Sequence, residues 1–137
     1  MQNAASSYLL IFRETSPERY QVMSTEERRA ALDRWNAWCD QLAAAGVLQA
    51  GNTLYEEGRL ISAASTARGI DGPFSEAKEL IGGYFLISAR SLDEATEIAQ
   101  QSPNLPYGMS VEVRPIAPAC HLARSLGMST MREPAGA

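Results

Sequence analysis

The side chains in this sequence that could do chemistry are few and scattered. Asp71 stands on a stiff corner, Asp71-Gly72-Pro73. There the Asp side chain can bond its own following backbone, Gly accepts positive φ, and Pro presets φ for the next bend. Held just ahead of an apolar strand, the carboxylate has two readings. It is a turn-former bonded to nearby amides, or a partly desolvated general base whose raised pKa suits it to moving a proton. Lys78 follows on a short helical turn over residues 75–79, either solvated or folded back to hold an anionic ligand. Arg114 projects from the polar side of a late strand. Its guanidinium can grip a carboxylate bidentately or sit in a surface or interface ion pair. Tyr84 and Tyr107 are expected to pack, with their hydroxyls at a cleft edge. Asp71, Lys78, Tyr84, Tyr107 and Arg114 thus form the candidate ligand-binding set, and Asp71 is the candidate catalytic residue.

Other reactive groups offer less. Cys39 falls on the apolar side of a helical pattern and reads as a small core residue. Cys120 and His121 are adjacent, so their side chains point apart, and no third ligand accompanies them. The two cysteines make no CxxC pair, and a single histidine cannot anchor a carboxylate–histidine metal cluster. No Walker loop and no GxGxxG between a strand and a helix is present. Gly108-Met109-Ser110 opens a strand and is no nucleophile elbow. The expectation is a protein with no metal and no cofactor.

The elements must position these groups within one domain. The 137 residues are enough for a single core, with 45% hydrophobic and 20% charged residues. A formal net charge of -4 and the lack of a basic cluster argue against nucleic-acid binding. No apolar run approaches the ~20 residues of a membrane span. The N-terminus has neither a basic region nor an apolar run before a cleavage site, so it does not read as a signal peptide, and a cytoplasmic location is expected.

Tyr8 to Phe12 reads as a central strand buried on both faces, and residues 14–23 as a polar loop serving as a lid. Ser24-Thr25-Glu26-Glu27 is a capping box. The helix behind it carries Ala31, Trp35, Trp38, Leu42 and Ala45 on one face and stops at Gly46. Residues 47–54 are extended, with Gly51 marking a bulge or close approach. A turn at Glu56-Glu57-Gly58 lets residues 59–64 pair back on them as a hairpin. Gly82-Gly83 opens a strand running to Ala89. A second capping box at Ser91 starts a helix striped with Leu92, Ala95, Ile98 and Ala99. Met109, Val111 and Val113 alternate with polar residues in a last strand. Residues 119–127 suggest a short helix around Leu122 and Leu126, and the final residues fray.

This order predicts a ferredoxin-like α+β sandwich with an antiparallel sheet and an inserted β-hairpin. The domain spans residues 7–116, and residues 117–137 form a C-terminal tail. Two helices cover only one sheet face. A homodimer that packs sheet on sheet would cover the other.

Asp71-Gly72-Pro73-Phe74, Glu76, Lys78-Glu79, Gly82-Gly83-Tyr84 and Val111-Glu112-Val113-Arg114-Pro115 together resemble the DGPF-motif branch of the YCII-related proteins, from about Tyr8 to Ile116. The resemblance implies a dimeric α+β barrel with a cleft in each subunit. In the wider superfamily a His and an Asp in that cleft have been proposed as an acid–base pair. The DGPF branch brings no established substrate. Its members are often encoded near extracytoplasmic-function sigma factors, which implies a regulatory setting. The sequence departs from the family at one place: Tyr107-Gly108 stands where members commonly carry His-Gly. Tyrosine, with a reference pKa of about 10, is a far poorer proton carrier at neutral pH.

Three readings of function follow. The first is a small-molecule-binding cleft in a homodimer, taking a small organic ligand. The second is a cofactor-free isomerase- or lyase-like enzyme, with Asp71 as base and Tyr107 or Arg114 stabilising charge. The third is a protein-interaction module serving a sigma-factor-linked regulatory partner.

Overall fold

The computed structural model describes residues 4–15, 17–63, 70–71 and 80–132. Its core is a four-stranded antiparallel sheet of β1 (Ser6–Glu14), β2 (Leu48–Thr53), β5 (Leu80–Ala89) and β6 (Met109–Pro115), in the order β2-β5-β1-β6. The two central strands are the two apolar runs. With α1 (Thr25–Ala44) after β1 and α2 (Leu92–Gln100) after β5, this is the ferredoxin-like arrangement expected from the order of elements.

Both helices start where their caps dictate. The Ser24 hydroxyl accepts from the Glu27 amide at 3.1 Å, and the Ser91 hydroxyl from the Glu94 amide at 3.0 Å. At its other end α1 closes in a Schellman motif. Gly46 takes φ +74°, its amide bonds the Ala43 carbonyl at 3.0 Å, and the Val47 amide bonds that of Leu42 at 2.9 Å.

The core lies on one sheet face. Tyr8, Leu10 and Phe12 of β1 and Phe85, Ile87 and Ala89 of β5 meet Trp38 and Leu42 of α1 and Ala95, Ile98 and Ala99 of α2. Phe12 touches Trp35, Trp38 and Phe85 edge-on, at centroid separations of 5.1, 6.2 and 4.8 Å. The stripe expected on α1 is therefore core, although Trp35 is only half-buried and Ala45 is exposed at the cap. Cys39 packs partly buried against the same cluster.

The alternate residues of the central strands, Leu9, Ile11, Tyr84 and Leu86, lie on the opposite face and are half-buried. Burial on both faces of β1 is thus not reached within one chain.

The hairpin pairs differently from the sequence expectation. β2 does not pair with the segment that follows it. It pairs with β5, while β3 (Arg59–Leu60) pairs with β4 (Ile70–Asp71) in a separate two-stranded sheet. The long apolar β5 offers β2 a full ladder of partners, and the Leu54 amide extends it by bonding the Gly82 carbonyl at 2.9 Å. The inserted hairpin exists, but it stands off the main sheet.

In the tail, α3 (His121–Ser125) forms as expected within residues 119–127. Ala123 of this helix and Ala119 just before it are buried, whereas Leu122 and Leu126 are 72% and 70% exposed. Among the described residues no helix is long and apolar enough to cross a membrane.

Candidate functional site

A cleft of about 600 Å³ opens between α1 and the helix-facing side of the sheet. Three glycines shape its floor. A Cβ on Gly51 would come within 2.6 Å of the Phe85 ring, and one on Gly83 within 2.7 Å of the Asn52 carbonyl oxygen. Only hydrogen fits at either position. A Cβ on Gly82 would meet the Glu14 carboxylate at 3.3 Å. Phe12, Phe85, Trp35 and Leu32 supply apolar walls.

Polar groups gather at one end. Glu14 points into the cleft because it lies two residues beyond inward-facing Phe12 on the same strand. The 3-10 helix Pro17–Val22, within the segment expected to act as a lid, brings Tyr20 to it. The Tyr20 hydroxyl donates to Glu14 Oε1 at 3.0 Å, and Asn104 Nδ2 approaches that hydroxyl at 3.5 Å. Burial, the Glu14 charge and the hydrogen bond to Glu14 push the Tyr20 phenol up to about 12. It stays a proton donor at any physiological pH. Asn104 Oδ1 is buried and has no hydrogen-bond partner. Arg28 of α1 also lines the cleft.

The residues singled out in the sequence are distributed over several places. Tyr84 lies on the sheet face away from the helices, where its hydroxyl accepts from Asn52 Nδ2 at 3.0 Å. Arg114 is on that same face, exposed, 3.6 Å from Glu112, which also pairs with Arg13 at 3.0 Å. Tyr107 ends the 3-10 turn Leu105–Tyr107 and accepts from Arg34 at 2.6 Å on the outer side of the Pro17–Val22 segment. Its ring lies 6.4 Å from that of Tyr20. The Asp71 backbone pairs with Arg59 in the small sheet, while the Asp71 side chain and all of Lys78 lie outside the described residues. Cys120 and His121 are both exposed.

Glu14, Tyr20, Arg28 and Asn104 escaped sequence reasoning, for they form no motif. One signal was available: the alternation that turns Tyr8, Leu10 and Phe12 inward also turns Glu14 inward. Among the described residues no three His, Cys, Asp or Glu side chains cluster as metal ligands.

A ferredoxin-like sandwich with an apolar cleft beneath its first helix defines the general class of protein. Residues 8–119 match the family model of the YCII-related domain, and the chain belongs to that family. It is 49% identical over 49 residues to the uncharacterized protein R00369 of Rhizobium meliloti (strain 1021), a match covering 35% of this chain and 40% of that protein. The chain thus spans about two-fifths of the length of the curated relative it matches. Among solved structures it is similar to 5-chloro-2-hydroxyhydroquinone dehydrochlorinase (TftG) from Burkholderia phenoliruptrix AC1100, in complex with 2,5-dihydroxybenzoquinone. The identity is 21% and the TM-score 0.45, over 78% of this chain and 90% of that one.

Proposed function

We propose that the chain binds one small organic ligand per subunit in the cleft beneath α1, and does so as a homodimer. The observation that carries the reading is Asn104 Oδ1, a buried acceptor without a partner beside the Tyr20–Glu14 hydrogen bond. A buried acceptor left unmet costs about 1–3 kcal/mol. A ligand hydroxyl or amine seated against Asn104 would remove that cost. Phe12, Trp35 and Phe85 would take the ligand's apolar body, and Arg28 an acidic substituent.

The homodimer rests on the open sheet face. Leu9 and Leu86 are register partners there, as are Ile11 and Tyr84, and the Arg13–Glu112–Arg114 charges lie beside them. An apolar centre beside charges, on a sheet uncovered on that side, suits a second copy of itself. Asp71 stays the proposed base should the bound compound be turned over.

The test is a thermal-shift screen against small organic acids, lactones and phenolic compounds. It is run on the wild type, Asn104→Leu, Tyr20→Phe and Asp71→Asn. Ligand at ~100 times its dissociation constant adds about 2.7 kcal/mol to stability. Shifts that vanish in Asn104→Leu and shrink in Tyr20→Phe support the reading. Hits that survive both substitutions remove the cleft as the binding site. Dependence on Asp71 would call for a turnover assay on the same compound.

A further inference from the structure

A second pocket, of about 410 Å³, lies on the other side of the Pro17–Val22 segment. Its lining includes Arg19, Arg34, Glu27, Met23 and Tyr107. Arg19 and Tyr20 are neighbours in the chain, yet Arg19 lines this pocket and Tyr20 the cleft. Arg34 comes from α1 and donates to the Tyr107 hydroxyl at 2.6 Å. The Arg19 guanidinium lies over Gly108: a Cβ there would be 3.5 Å from Arg19 Nη1. Gly108 holds φ +86°, which lets the chain turn sharply after Tyr107.

Two guanidinium groups therefore flank Tyr107 in one concavity. Among the described residues neither is within ion-pair distance of a carboxylate, although Glu27 also lines the pocket. Three other arginines do pair with carboxylates: Arg13 and Arg114 with Glu112, and Arg90 with Glu94. In a protein of formal net charge -4, a concave pair of unneutralised arginines is a local inversion of sign. Such a pair raises the local concentration of anions, and guanidinium forks match the oxygens of carboxylate and phosphate.

We propose that this pocket is an oxyanion-binding site, taking a carboxylate or a phosphate group between Arg19 and Arg34. The Tyr107 hydroxyl, already accepting from Arg34, keeps its own proton to donate to the bound oxyanion. Met23 adds an apolar wall beside the charges, which themselves remain exposed to solvent. The site is separate from the cleft proposed above and does not depend on it.

The test is isothermal titration of the full chain with inorganic phosphate and, separately, with benzoate, at low ionic strength. Saturable binding of one anion per protomer is expected. Loss of one guanidinium contact in Arg19→Gln or Arg34→Gln should weaken it ~10-fold or more, as expected for charge-assisted hydrogen bonds. Arg90→Gln removes the same charge from an exposed i,i+4 pair and should leave the affinity within ~2-fold, since exposed charges act weakly at a distance. Tighter binding of phosphate than of benzoate assigns the site to phosphorylated ligands, and the reverse order to organic acids. No saturable binding of either anion overturns the proposal. So does an affinity that falls equally in all three variants, or one that both Arg19→Gln and Arg34→Gln leave unchanged.

Discussion

The Tyr20 hydroxyl and the Glu14 carboxylate close one end of the cleft with a 3.0 Å hydrogen bond. That bond ties the Pro17–Val22 segment to the end of β1. It also fixes a pH dependence. The folded-state phenol is raised to about 12 from 10.0, chiefly by burial and then by the Glu14 charge. Below pH 10 the phenol is protonated in folded and unfolded chains alike, and its contribution is fully present. Between pH 10 and 12 the unfolded chain releases the proton first, so stability falls as pH rises. Urea midpoints at pH 8 and pH 11 should therefore diverge more for the wild type than for Tyr20→Phe. Parallel losses would show that the pair does not hold in solution.

The glycines of the cleft floor should separate folding from ligand binding. A Cβ at Gly83 would meet backbone, the Asn52 carbonyl oxygen at 2.7 Å and Thr53 Cα at 3.3 Å. Backbone in a paired strand cannot yield cheaply, so Gly83→Ala should cost about 1–3 kcal/mol in urea unfolding. At Gly82 the nearest atom is Glu14 Oε2, the far end of a flexible side chain. Gly82→Ala should unfold within about 0.5 kcal/mol of the wild type. It should still displace the Glu14 carboxylate and weaken any cleft ligand. Gly58, with nothing within 4 Å of its added Cβ, should accept Ala without loss.

The sandwich was legible in the sequence because its signals are local. The two capping boxes, the Gly46 stop and the two apolar central strands each rest on residues a few positions apart. Strand partnership was not legible. Residues 59–64 looked like the natural mate of residues 47–54, but β2 instead takes β5, nearly thirty residues on. That partnership joins segments far apart in the chain, so the turn between neighbours does not reveal it. The cleft was equally hidden. Glu14 and Asn104 are ninety positions apart, and both touch the Tyr20 hydroxyl only because the sheet sets β1 beside β6. Tyr84 and Arg114 carry the family-like motifs, yet they share the open sheet face, not the cleft.

The two thiols should react at different rates. Burial, and after it the Asp40 charge, pushes the Cys39 thiol up, so little thiolate forms near neutrality. Cys120 is exposed at the start of α3. Titration of the native protein with a disulfide reagent at pH 8 should show one fast and one slow thiol. Cys120→Ser should abolish the fast phase and leave the slow one. A fast phase that survives in Cys120→Ser would mean that the α1 packing around Cys39 opens readily.

The open sheet face yields the sharpest test of the proposed homodimer. Leu86 lies opposite Leu9 and Ala50 in the two flanking ladders, which places it near the middle of that face. In a sheet-on-sheet dimer its side chain would be fully desolvated. A lysine there would bury an unpaired charge in each subunit, and such charges cost several kcal/mol. In a monomer the same lysine would simply reach into water. Leu86→Lys should therefore convert a sedimenting dimer into a folded monomer at micromolar concentration, with its circular dichroism intact. Arg114→Gln, on the same face but 65% exposed and 3.6 Å from Glu112, should leave the dimer in place. A wild type that already sediments as a monomer would leave Leu9, Ile11 and Leu86 without a second copy to cover them.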